Sequence, residues 1–348
     1  MARGLVVALV LLSERLGLVT DEERRLEVAA ATVREAPLWT LDEIRANAAD
    51  ADFIILGAVE PFDAEALSAL PRLCAVVRRG VGHDNVDVEA ATRLGIIVAN
   101  VPDASVEEVS DHALSVLLTL ERRIVQLDRA VRAGMWQRDP TAIQRVRAPI
   151  RRLGELTLGI IGFGRIGQAL ARKAGSIYAE LIAADPFPDP DAARRLGVRL
   201  VELGDLFSMA DHVSLHAPLS GETRHLIDAA ALARMRPGAV IVNTARGGLV
   251  DEVALVGAIA EGHIAAAGLD VTEREPLFPD DALLRAENLI LTAHSAVMST
   301  RSQAELQSRS VDAALALVRG ELPASVVNRD VLASPRLRFA KANPPPER

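Results

Sequence analysis

The chain has 348 residues, half of them hydrophobic and a quarter charged, a globular composition with length enough for two domains that each bury a core. A formal net charge of −8, with arginines scattered among acids, argues against a nucleic-acid surface, which needs clustered cations. The single cysteine, Cys74, excludes an intrachain disulfide and a thiolate metal cluster, and it fits a reducing cytoplasm.

The apolar run 5–12 is too short to span a bilayer and reads as the first core strand. Segments 53–56, 63–70, 73–77, 87–94 and 96–99 then alternate strand with helix character, the pattern of βαβ units on a parallel sheet. Cys74 falls in one of the apolar runs and reads as a buried strand residue. Ser105-Val-Glu-Glu108 has the form of a capping box. It opens one long helix with apolar Val109, Ala113, Val116, Leu117, Leu120, Ile124 and Leu127. Strands follow at 156–161, 178–184, 212–216, 239–243, 264–269 and 289–292, six as in a doubly wound sheet. A last helix opens at Thr300-Arg-Ser-Gln303 and runs to Gly320, and the proline-rich end is expected to be a disordered tail.

The most specific local signal is Gly162-Phe-Gly-Arg-Ile-Gly167, directly after an apolar strand and at the start of a helix. Asp185 follows about twenty residues on, at the end of the next strand. The first glycine permits the tight turn, the second lets a pyrophosphate approach the backbone, and the third lets the helix pack on the strand. N–H groups at the helix start face the phosphates. The Asp185 carboxylate accepts from ribose hydroxyls and repels a 2′-phosphate, so the expected cofactor is NAD rather than NADP. Because this motif is central, residues after Val297 are expected to return to the first domain. The expected fold is α/β, with two Rossmann-like doubly wound parallel-sheet domains. The cofactor domain, 104–298, is inserted into a discontinuous substrate domain, 1–103 plus 299–330, and 331–348 forms the tail.

Three charged residues stand at ends of predicted strands in the second half: Arg246, Glu275 and His294. Carboxyl ends of parallel strands are where open α/β sheets bind ligands. An arginine there holds a carboxylate bidentately. A glutamate beside a histidine orients the ring and favours its protonated form, an acid for a carbonyl oxygen gaining charge. Most of the seven histidines read as structural. His83 is as well explained by bracing a loop as by touching a ligand, and His216 by cofactor packing. No His, Asp or Glu cluster has metal-ligand spacing, so no metal is expected.

In Asn243-Thr-Ala-Arg-Gly-Gly-Leu-Val-Asp251 the chain resembles the D-isomer-specific 2-hydroxyacid dehydrogenases over roughly residues 50–328. Within that family it is most similar to the C-terminal-binding-protein branch, through Gly80-Val-Gly-His-Asp-Asn-Val-Asp87, Asn100-Val-Pro-Asp-Ala-Ser-Val-Glu-Glu108 and Val326-Val-Asn-Arg-Asp330. The resemblance implies Arg246 on the substrate carboxylate and carbonyl, His294 as general acid/base and Glu275 as its partner. It implies NAD contacts from Gly162, Gly164, Arg165, Ile166, Gly167, Asp185, Thr244, Ala245 and Asp270. It implies substrate contacts from Arg78 and from the backbone N–H groups of Val81 and Gly82. Beside Arg78, Arg79 reads equally as a solvated strand end or, with Arg78, as the reader of a second anionic group on the substrate. The implied activity is NAD-dependent interconversion of a 2-oxo acid and a D-2-hydroxy acid by a cytoplasmic homodimer without nucleic-acid or membrane partners. An NAD-sensing scaffold or regulator is the alternative. Three departures stand out. Ala293 replaces the proline usual before the catalytic histidine, Val297 replaces the branch's tryptophan, and the first forty residues match poorly.

Overall fold

The computed structural model describes residues 8–16, 20–29 and 31–339. The chain divides into two units, Met1–Ser105 with Ser299–Arg348, and Val106–Met298. In the first unit five parallel strands, β1 (Ala8–Ser13), β2 (Ala31–Ala36), β3 (Phe53–Leu56), β4 (Ala75–Arg78) and β5 (Ile97–Asn100), lie in the order β2-β1-β3-β4-β5. Alternate residues point to opposite faces, and both faces are covered. Leu11, Ile54, Leu56, Val76 and Val98 join one core, while Val10, Leu12, Phe53, Ile55, Val77 and Ile97 join the other. The returning helix, Thr300–Val318, supplies Val311, Ala314, Leu315 and Leu317 to that second core. Asp63 and Asp87 cap the helices Ala64–Ser68 and Val88–Leu94 by accepting from Ala66 N and Ala90 N, each at 2.8 Å.

The second unit carries seven parallel strands: β6 (Thr157–Ile161), β7 (Glu180–Ala184), β8 (Val198–Leu200), β9 (His212–Leu215), β10 (Ala239–Asn243), β11 (Ile264–Leu269) and β12 (Leu289–Leu291). Their order, β12-β11-β10-β9-β6-β7-β8, reverses direction beside β6, which is the dinucleotide-binding crevice of a doubly wound sheet. One face is packed by Ala113, Val116, Leu117 and Leu120 of the helix Val106–Glu121.

Several expectations are corrected. The cofactor-side sheet has a seventh strand, because β8 is only three residues long and carries too little pattern to read. The polar edge strand β2, Ala-Thr-Val-Arg-Glu-Ala, escaped for a related reason: edge strands tolerate charge on exposed positions. The single long helix is two, Val106–Glu121 and Ile124–Arg132, broken at Arg123, whose φ of 51° is left-handed. Ile124 is exposed, so the apolar spacing across the break joined two separate faces. The last helix starts one residue earlier than expected, with Ser299 as cap and Ser302 closing the box. Cys74 is only partly buried and precedes β4 rather than lying in it. The C-terminal segment packs well past 331. Val331 and Phe339 are buried in the first unit's core, and Arg338 donates from its backbone to Gly95 O and from Nη1 to Leu70 O. The remainder of the expected tail, 340–348, and residues 5–7 of the expected first strand lie outside the described residues.

A buried polar network ties the start of β9 to the helix break. His212 is fully buried. Its Nδ1 lies 2.8 Å from the Tyr178 hydroxyl and its Nε2 2.9 Å from Glu121 Oε2. Arg151 Nη2 donates to the same Glu121 oxygen at 2.8 Å. Burial pushes the Glu121 carboxyl up, but the hydrogen bonds from His212 and Arg151 outweigh it and hold the group at about 2. Burial likewise holds His212 below its ordinary value, against the pull of Glu121.

Both depressions act in one direction. The stability each confers is complete above its unfolded value and is lost as pH falls, first through the histidine and then through the carboxylate. The melting temperature should therefore fall steadily between about pH 6.5 and about pH 2, and Glu121→Ala should destabilise by roughly 3 kcal/mol at neutral pH through the buried acceptor removed from His212 and Arg151. Calorimetric melting of both proteins across that range checks this, and a flat acid profile would contradict it.

Candidate active site

The turn after β6 is built by its glycines. Gly162 has φ of 88°, and a Cβ there would meet the backbone of His216 and Ala217 at 2.7 Å. A Cβ on Gly167 would lie 2.2 Å from Gly162 O, so the helix Arg165–Ala174 approaches the turn as closely as the backbone allows. Gly164 differs: a Cβ there would meet nothing within 4 Å, and the residue is exposed at the helix N-terminus with Arg165, with Ile166 half-buried behind. That open space over N-terminal amides is what a pyrophosphate requires. Asp185, just after β7, accepts from Phe163 N at 2.7 Å through Oδ2 and from Phe187 N at 2.8 Å through Oδ1. The carboxylate thus fixes the glycine turn, and each oxygen keeps a further lone pair to accept from a hydroxyl. Across the turn, His216 is held at about 4, neutral, by burial, with Ser214 Oγ 2.9 Å from its Nε2.

Arg246 stands beyond β10 in a loop shaped by Asn243, which is fully buried and reaches both ways. Its Nδ2 donates to Arg246 O at 2.8 Å and its Oδ1 accepts from Ala245 N at 3.0 Å. Arg246 Nη1 donates to Ala245 O at 2.7 Å. Gly247 is obligatory because a Cβ would collide with Thr272 C at 1.9 Å. Thr244, before Ala245, has a buried Oγ1 with no hydrogen-bond partner among the described residues. With the open ground over Gly164, that orphaned hydroxyl fits a bound dinucleotide.

Glu275 and His294 are brought together. His294 Nδ1 lies 2.7 Å from Glu275 Oε2, while Thr272 N donates to Glu275 Oε1 at 3.1 Å. Both side chains are somewhat over a quarter exposed. With Nδ1 engaged, Nε2 is the ring's reactive end. Asp270 holds this arrangement from beneath. Its nearly inaccessible carboxylate accepts from Thr292 Oγ1 at 2.5 Å, Ser295 N at 2.8 Å and Ala296 N at 2.9 Å. Its carbonyl accepts from His294 N at 2.8 Å. The carboxylate is thus turned inward to the histidine loop. His112, from the helix Val106–Glu121, adds a contact of 3.0 Å between Nε2 and Thr292 Oγ1. Sequence reading missed Asn243, Thr292 and His112, although Thr292, two residues before His294, sits where a loop polar group is useful. Among the described residues no group of three potential ligands could hold a metal.

In the first unit, Arg78 ends β4 and is buried, with Nη1 donating to Arg79 O at 2.7 Å. Gly80, at φ of 144°, leaves room for that guanidinium, since a Cβ would lie 1.7 Å from Nη1. Val81 and Gly82 follow, both partly exposed. The Arg79 side chain is committed elsewhere. It reaches Leu16 O and donates to Gln303 Oε1 at 3.1 Å, so it braces the unit rather than joining Arg78 in reading an anion.

Residues 114–296 match the family model described as D-isomer specific 2-hydroxyacid dehydrogenase, NAD binding domain. A glyoxylate reductase of Korarchaeum cryptofilum is 40% identical over 287 residues, 81% of this chain and 84% of that protein. A D-3-phosphoglycerate dehydrogenase of Mycobacterium leprae is 37% identical over 317 residues, 90% of this chain, which spans only 58% of that longer relative. Among solved structures, a D-lactate dehydrogenase from Aquifex aeolicus complexed with NAD and lactic acid superposes with a TM-score of 0.80 at 27% identity, covering 92% of this chain and 99% of that one. These relatives are enzymes by name. They lend nothing to the scaffold alternative, and they do not single out the C-terminal-binding-protein branch. The fold, the NAD-binding half and these likenesses agree: the chain belongs to the D-isomer-specific 2-hydroxyacid dehydrogenase family, NAD-dependent oxidoreductases that interconvert 2-oxo and D-2-hydroxy acids.

Proposed function

We propose that this protein reduces a small 2-oxo acid of the glyoxylate or pyruvate type, with His294 as proton donor, Arg246 as ligand of the substrate carboxylate and carbonyl, and Glu275 as the histidine's support. The observation that carries the reading is the 2.7 Å contact of His294 Nδ1 with Glu275, which leaves Nε2 to deliver a proton to a carbonyl oxygen. NAD, when bound as NADH, supplies the hydride to the carbonyl carbon. Arg246 presents a planar pair of donors to the carboxylate and stabilises charge developing on the oxygen. Gly162, Gly164, Arg165, Ile166 and Gly167 receive the pyrophosphate, Asp185 the adenosine ribose, and Thr244 and Ala245 the remainder of the cofactor. Arg78 and the amides of Val81 and Gly82 serve the substrate carboxylate, which makes the first unit the substrate domain.

The assembly proposed is a homodimer. Its support is a run of exposed apolar side chains, Ile124, Val131, Met135 and Trp136, the last 57% exposed, along 124–136. A cytoplasmic location is proposed on the free thiol of Cys74.

Steady-state NADH oxidation with a panel of 2-oxo acids tests the reaction. His294→Ala should lower kcat by roughly 10²- to 10⁴-fold with NADH affinity nearly unchanged. Arg246→Ala should raise KM as well as lower kcat, because its charge meets the ground state too. Turnover by the His294 variant equal to that of the unmutated protein would overturn the assignment. Asp185→Ala should weaken NADH binding and narrow the preference over NADPH, measured as the ratio of the two kcat/KM values. Equal use of both cofactors by the unmutated protein would contradict the role given to Asp185.

A further inference from the structure

We infer that Asn100, oriented by Ser325, is the positioning residue that aims the amides of Val81 and Gly82 at the substrate carboxylate; the inference rests on the reaction proposed above. In the loop after β4, Arg79 N and Gly80 N donate to Leu56 O and Arg78 O, and the next two carbonyls, those of Gly80 and Val81, are anchored from the end of β5. Val101 N donates to Gly80 O at 3.0 Å, and Asn100 Nδ2 donates to Val81 O at 2.7 Å. In a planar trans peptide the C=O and the following N–H point in opposite directions. Drawing the Gly80 and Val81 carbonyls toward the end of β5 therefore turns the Val81 and Gly82 N–H groups away from it. Among the described residues neither N–H has a protein acceptor. Two unsatisfied donors on adjacent residues of a pinned loop suit an anion, and the carbonyl anchors set the direction in which they point.

Asn100 can serve only with its amide nitrogen, not its oxygen, toward Val81. That choice is made by the C-terminal segment. Val326 bridges Ala99 in antiparallel fashion, Val327 N donates to Val98 O at 2.8 Å, and Val98 N donates to Asn328 Oδ1 at 2.8 Å. The segment so placed brings Ser325 Oγ to Asn100 Oδ1 at 2.6 Å, where the hydroxyl donates. With its oxygen engaged, the amide presents nitrogen to the loop. Asn100 faces Arg78 in register across β4 and β5, so the anchor stands beside the root of the loop it holds.

Asn100→Asp keeps shape and the bond from Ser325 but sets an oxygen against Val81 O, so the Val81–Gly82 peptide should turn. KM for glyoxylate and the calorimetric Kd of oxalate for the NADH-bound protein should both rise about tenfold or more, with kcat changed much less, because the lost interaction is made in ground and transition states alike. Ser325→Ala should give a smaller rise of about threefold in both, and Ser325→Thr, which keeps the hydroxyl, should restore them. A merely structural asparagine would lower the melting temperature without this split between KM and kcat. Unchanged KM and Kd in Asn100→Asp overturn the inference, as does a failure of the unmutated protein to bind oxalate. Oxalate binding needs no turnover. A protein that reduces no 2-oxo acid yet loses oxalate affinity on Asn100→Asp would sink the proposed reaction and keep the anchor.

Discussion

The arrangement around His294 depends on one buried carboxylate. Asp270 accepts from a hydroxyl and two backbone amides of the 292–296 loop, and through its carbonyl from His294 itself. Hydrogen bonds to an ionised acceptor are roughly twice as strong as neutral ones. Removing such an acceptor leaves buried donors unsatisfied, at about 1–3 kcal/mol each. This density of contact holds His294 at a φ of 51°, a conformation few non-glycine residues adopt, and so delivers Nδ1 to Glu275. A looser loop would relax to ordinary backbone angles and separate the pair. The inward-facing acid is the condition for the outward-facing one.

The same device recurs at smaller scale. Asn243 locks the Arg246 loop by donating to one carbonyl and receiving one amide, and Asp185 fixes the glycine turn through Phe163 N and Phe187 N. In the first unit Asn100 Nδ2 and Val101 N hold the carbonyls of Val81 and Gly80. In each case a short polar side chain at a strand end satisfies backbone groups that the strand ladder has just released. Parallel sheets produce such ends in rows, which is why their carboxyl edges carry chemistry.

Much of this was legible in the sequence. The glycine spacing, the acid after the following strand and the charged residues after later strands located the tight glycine turn and the histidine pair, because each depends on local chemistry at fixed separations. Shape at the edges was not legible. β8 is too short and β2 too polar to register against a buried-strand pattern. The break at Arg123 lay hidden because Ile124 continued an apolar spacing while facing outward. The packing of Val331 and Phe339 was invisible for a different reason: composition near a proline-rich end says nothing about a groove formed by distant residues. Roles such as those of Asp270 and Asn100 depend on which way a carboxylate or amide turns, and only three-dimensional contacts decide that.

The reaction proposed above requires that the carbonyl be presented to the cofactor by one face only, with its carboxylate and oxygen held by fixed charges. The most direct test is stereochemical. Pyruvate reduced by this protein with NADH should yield D-lactate alone on chiral chromatography. L-lactate, or a racemic mixture, would contradict the account.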